Sequence, residues 1–192
     1  MELADMNRCS QAVAQQCLAK CCGSGRWVRE MLRCRPFGTV EDLFEAADAI
    51  WSSLSSSDWI EAFSHHPKIG DIESMRIRFS STSSWSKEEQ SGISAAHDEV
   101  LKALAEGNRK YEERFGYIFI VYATGKSAEE MLALLNERLS NDPAIELTIA
   151  ADEQRKIMRL RLDRLLSLVQ GGGEEQPGSG LRSEAGGECT KQ

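Results

Sequence analysis

The chain has 192 residues, 28% of them charged and 41% hydrophobic, with a formal net charge of −7 at neutral pH. That length suits one domain with a tail and a sizeable buried core. The acidic balance argues against a nucleic-acid partner, which requires a surplus of Lys and Arg, and against a basic membrane-surface helix. No apolar run approaches the roughly 20 residues that span a bilayer. The N-terminal residues lack the basic start and apolar run of a secretory signal, so secretion is not expected.

Helical signals dominate in chain order. Residues 3–22 are rich in Ala and Gln, carry apolar residues at helical spacing and stop at Gly23-Ser24-Gly25. This stretch holds Cys9, Cys17, Cys21 and Cys22, with Cys34 shortly after and Cys189 near the end. Reduced thiols acting as small hydrophobes are the expectation for an intracellular chain. No second Cys or His pair stands at a zinc-like spacing from Cys21-Cys22, so no metal is expected. Thr39 with Asp42 forms the carboxylate variant of a capping box, and Leu43, Ala46, Ala47, Ile50 and Trp51 make one apolar stripe behind it. A serine run then breaks the helix, and residues 58–65 begin another. A further helix of several turns is expected over 87–115. Ser127 with Glu130 caps a helix over 128–140, and Asp142-Pro143 opens the last one, to about Val169.

One segment dissents. Residues 115–125 are aromatic and β-branched, and propensity reads them as a buried strand, yet the rest of the chain offers no pairing partner. The alternative is an extended connector between helices, whose backbone N–H and C=O groups need partners that a polar ligand can supply. From Gly171 onward the chain is glycine-rich with a single leucine, so 171–192 is expected to be a disordered tail or linker behind a domain of residues 1–170.

Two places carry candidate chemistry. Of only three histidines, His65 and His66 stand together before Pro67. A proline disfavours helical geometry in the residue before it, so a plain helix stop explains the pattern. Equally, Pro67 holds His66 extended on a corner, where an imidazole with a pKa near neutrality can move a proton. The residue types alone do not choose between the two histidines. Ser86 and Glu89 are likewise spaced as a capping box, worth about 1 kcal/mol. A helix N-terminus also attracts anions, and Ser86, Glu89 and Gln90 would set a hydroxyl, a carboxylate and an amide there.

The motifs HPKIG, SKEEQSG, RFGYIFIVYATG and KIMRLRLDRLL occur in this order between about Cys21 and Leu168. Together they resemble the decarboxylases of 2-oxo-4-hydroxy-4-carboxy-5-ureidoimidazoline (OHCU), and most closely the plant type, in which a transthyretin-like hydrolase domain follows. The resemblance implies an all-α fold, a single helical-bundle domain with one short buried extended segment, which overrules the strand reading of 115–125. It implies cofactor-independent conversion of OHCU to (S)-allantoin in urate degradation. It also implies a homodimer, a fused hydrolase domain in the full-length protein, and a peroxisomal or cytoplasmic setting. By the same resemblance His66, rather than His65, is the proton donor and Glu89 the functional carboxylate. Pro67, Ser86, Gln90, the backbone of Phe119, Ile120, Val121, Tyr122 and Ala123, and Arg161 contact the substrate. Two other classes remain beside it: a non-catalytic helical interaction module whose motifs are only caps, and a metal-dependent hydrolase using the paired histidines.

Overall fold

The computed structural model describes residues 1–66 and 89–167, with side chains over 1–66 and 98–166. The expected tail at 171–192, with its boundary at 170, lies outside the described residues. Among the described residues the chain forms eight helices and no strand: α1 (Leu3–Arg8), α2 (Gln11–Cys21), α3 (Gly25–Arg33), α4 (Val40–Ser52), α5 (Ser56–Ser64), α6 (Glu89–Phe115), α7 (Ala128–Arg138) and α8 (Pro143–Ser167). The fold is all-α, as the sequence leads one to expect.

Local chemistry sets most of the boundaries. The expected capping boxes form at Thr39 with Asp42 and at Ser127 with Glu130, each side chain meeting the other's backbone N–H. The Oδ1 of Asp142 accepts from the Ala144 N–H at 2.9 Å and opens α8. Three features differ from expectation. The N-terminal helix is split at Cys9-Ser10, because the Ser10 hydroxyl accepts from the Val13 N–H at 3.3 Å and starts a new helix. The serine run that ends α4 also hides a third capping box, Ser55 with Asp58, which starts α5. Helix α3, which the sequence reading leaves unassigned, is capped by Ser24 and buries Trp27, Val28 and Met31.

Helix α8 packs against α2, α4 and α5, while α7 lies along α6. Three tryptophans lock these contacts, since a buried indole N–H has to find an acceptor. Trp27 donates to the Ala47 carbonyl at 3.1 Å, Trp51 to Ala151 at 3.1 Å, and Trp59 to Trp51 at 3.2 Å. These bonds join α3 to α4, α4 to α8 and α5 to α4. Trp27, Met31, Leu43, Phe63, Leu104 and Leu162 fill the core around them.

Between α6 and α7 the chain runs extended, from Gly116 (φ +80°) to Gly125 (φ +78°). Both glycines hold left-handed conformations that a side chain would strain. Bulky and branched residues fit a buried extended chain whether or not it joins a sheet, which is why propensity suggested a strand. Here side chains, not a neighbouring strand, meet the backbone. Arg138 Nη1 donates to the Ile120 carbonyl at 2.8 Å, the Tyr122 N–H donates to Glu153 at 2.6 Å, and Lys126 donates to the Tyr122 carbonyl at 2.7 Å. Arg138 is buried, and so is its partner Glu146, which it meets through Nε at 2.8 Å and Nη2 at 2.6 Å. The Tyr111 hydroxyl and Asn141 Nδ2 also donate to Glu146.

Removing one member of this pair strands a charge in the core, an effect of about 3–5 kcal/mol. Arg138→Met and Glu146→Leu should therefore each lower the urea midpoint far more than Thr39→Ala, which removes only a cap worth about 1 kcal/mol.

Candidate active site

Where α5 ends, the two histidines part. His65 caps the helix and turns back: its Nδ1 lies 2.9 Å from the Glu61 carbonyl. Its ring rests on Gly23, where an added Cβ would come within 2.6 Å of the His65 Cβ. The next residue, His66, follows the last turn, its N–H donating to the Phe63 carbonyl at 3.1 Å, and its ring faces inward to a pocket. That pocket, of about 230 Å³, is lined by His66, residues 118–124, Met131, Ile157, Leu160, Arg161 and Arg164.

The pocket thus brings together His66, the extended segment Phe119, Ile120, Val121, Tyr122 and Ala123, and Arg161. Tyr122 offers its side only, because its own N–H and C=O are held by Glu153 and Lys126. Arg159 is separated from Arg161 by helix geometry. It pairs with Asp48 at 2.6 Å and lies over the Phe44 ring, away from the pocket. Glu89 and Gln90 sit on the first turn of α6, and their side chains, with Pro67 and Ser86, lie outside the described residues. Arg164, Met131, Ile157 and Leu160 were not singled out from the sequence. Positions 157, 160, 161 and 164 follow the i, i+3, i+4, i+7 rule for one helix face, so reading Arg161 with its face would have found three of them.

The charged side chains among the described lining residues are both cations, Arg161 and Arg164. Among the described residues neither Arg161 nor Arg164 is ion-paired. Burial first, and the Arg161 charge second, push the His66 imidazole down to about 4, with His65 adding a little and neighbouring Gln154 opposing. His66 is therefore neutral near pH 7. Cys21 and Cys22 lie close enough to feel Arg161, but burial pushes both thiols up to about 12, so neither is a counter-ion to it.

The described wall of the pocket in this all-helical chain thus sets a neutral histidine beside two guanidinium groups, a combination suited to an organic anion. The sequence model of the OHCU decarboxylase family matches residues 7–163, and the chain belongs to that family. It is 38% identical over 147 residues to the uric acid degradation bifunctional protein TTL of Arabidopsis thaliana, covering 77% of this chain and 45% of that protein. It therefore spans less than half the length of that relative. It is also 30% identical over 132 residues to the 2-oxo-4-hydroxy-4-carboxy-5-ureidoimidazoline decarboxylase of Amia calva, covering 69% of this chain and 75% of that one. A crystal structure of an OHCU decarboxylase in the presence of (S)-allantoin superposes with a TM-score of 0.64 at 38% identity, over 78% of this chain and 96% of that one.

The depressed His66 value ties stability to pH. The unfolded histidine titrates at 6.5 and the folded one near 4. Between those values the unfolded chain binds the extra proton, so stability falls as pH falls, by roughly 3 kcal/mol in full below pH 4. His66→Asn should lack this component, and the gap between variant and wild type in urea melts should open between pH 6.5 and pH 4.

Proposed function

We propose that the chain decarboxylates 2-oxo-4-hydroxy-4-carboxy-5-ureidoimidazoline to (S)-allantoin in urate degradation. The observation that carries this reading is the convergence of His66, Arg161 and the extended segment 118–124 on one pocket. The substrate is a small anion, and the pocket is a local positive site in a chain of net charge −7. Low-dielectric walls strengthen that field, so Arg161 and Arg164 draw the carboxylate in.

Loss of CO2 breaks the bond between the carboxylate and the ring carbon. The electron pair enters the conjugated ring, which acts as the electron sink. CO2 leaves neutral, so the ring retains the negative charge and one proton is consumed overall. The segment 118–124 and the first turn of α6, with Glu89 and Gln90, hold the ring and ureido group so that the breaking bond aligns with the π system. Ser86 and Pro67 complete the substrate contacts in this reading.

His66 delivers the proton to one face, which fixes the (S) configuration. A neutral imidazole is a poor acid, so the proton has to arrive with the substrate. Burial does most to hold the free imidazole near 4 and the Arg161 charge adds to it; the incoming carboxylate offsets that charge, which favours imidazolium in the complex. The same reading places the chain in peroxisomes or the cytoplasm, as a homodimer, alone or joined to a transthyretin-like hydrolase domain.

Circular dichroism of a urate degradation mixture tests the activity, with urate oxidase and hydroxyisourate hydrolase generating the unstable substrate in place. Wild type should accelerate growth of the (S)-allantoin signal. His66→Ala should fall by about 10²–10⁴-fold, the usual weight of a positioned acid, and leave slow racemic product. Arg161→Met should weaken substrate binding, and a folded His66→Ala variant with normal turnover would remove His66 from the mechanism.

A further inference from the structure

Gln154, in α8, is fully buried, and neither of its side-chain polar atoms has a hydrogen-bond partner. Burying an amide without partners is costly, so its presence here needs a reason. It stands one turn before Ile157 and two turns before Arg161, on the face of α8 that meets the pocket. Its polar neighbour is the His66 ring, whose own Nε2 is buried and lacks a partner. Two incomplete groups therefore lie side by side behind the pocket wall.

We propose that Gln154 is the positioning residue of His66: its amide closes a hydrogen bond to the buried ring nitrogen and so fixes the ring orientation and tautomer. The proposal rests on the decarboxylase reading only for what the ring then does. A histidine that exchanges a proton through one nitrogen needs a partner at the other in both of its protonation states. An amide provides this without adding charge: the nitrogen that does not exchange carries its hydrogen in both states, and the amide carbonyl accepts from it. A carboxylate could accept the same N–H, but it would favour the imidazolium and hold the ring charged. A neutral partner suits a histidine that is uncharged until an anion arrives.

Among the described residues, the other charged or titratable groups around His66 are Arg161, Arg164 and Tyr122 lining the pocket, His65 beside it in the chain, and Glu112 and Tyr117 lining a second cavity of about 150 Å³ that His66 also borders. Burial opposes protonation most, Arg161 and His65 add to it, and Gln154 favours it.

The test is the titration and tautomer of His66, followed by NMR of ring-labelled histidine in the folded full chain without substrate. With three histidines in the sequence, the His66 signal is assigned by its loss in His66→Asn. Gln154→Leu should lower the His66 midpoint further and mix its tautomers. The near-isosteric Gln154→Glu, which keeps the shape and so serves if the leucine variant does not fold, should raise the midpoint by more than one pH unit. In the allantoin assay Gln154→Leu should lower kcat at least tenfold with KM changed less than threefold, and Gln154→Glu should move the pH profile upward. Wild-type tautomer and midpoint in a folded Gln154→Glu chain would overturn the proposal. If wild type forms no allantoin, the decarboxylase reading fails on its own, and the titration still decides Gln154.

Discussion

The buried ion pair between Arg138 and Glu146 underlies the rest of the structure. Taking two charges out of water is costly, and their mutual attraction offsets that only when every remaining donor and acceptor is satisfied. Here Tyr111, Asn141 and the Ile120 carbonyl complete the set. What the pair makes possible is a stretch of extended backbone inside an all-helical protein. Without a sheet, such a stretch would bury unmet carbonyls, and Arg138 supplies the missing donor from behind. The aromatic rings of Tyr111 and Phe119 meet edge-on beside it, with the Arg138 guanidinium 4.6 Å above the Phe119 ring, closing the network to water.

With one face of the segment secured, its other face is free to act as a wall. The pocket therefore combines a rigid backbone surface with a few side chains from distant helices. Its electrostatics run against those of the whole molecule: among the described residues, an acidic chain places two guanidinium groups without an ion-pair partner and an uncharged imidazole at one point. The division of labour between the histidines follows from a single glycine. Gly23 leaves room for the His65 ring, which turns back to its own helix, and His66 is left to face inward.

Helix boundaries were legible wherever a capping side chain announced them, at Thr39, Ser127 and Asp142. They were misread where a cap was hidden among similar residues, as Ser55 is in its serine run, or where Ser10 interrupts an otherwise continuous helical pattern. The segment 117–123 could not be read from propensity, because bulk and branching report burial and not pairing; the arginine that replaces a neighbouring strand comes from α7. For the site, the motif resemblance selected His66 over His65 and Arg161 over Arg159, choices that residue types left open. Gln154 escaped notice because nothing in a sequence distinguishes a buried amide from the many exposed ones.

The pocket's walls come from the end of α5, the connector before α7, Met131 of α7 and the C-terminal half of α8, parts that lie far apart in the chain. Such a site has no local precursor during folding. Its parts meet only after the entropic cost of closing long loops has been met, and on the ribosome it stays open until the last helix has emerged and docked. A nascent or C-terminally clipped chain therefore exposes the apolar backs of α2, α4 and α5 where α8 should lie. For this fold, loss of the final helix is a solubility failure before it is a loss of chemistry.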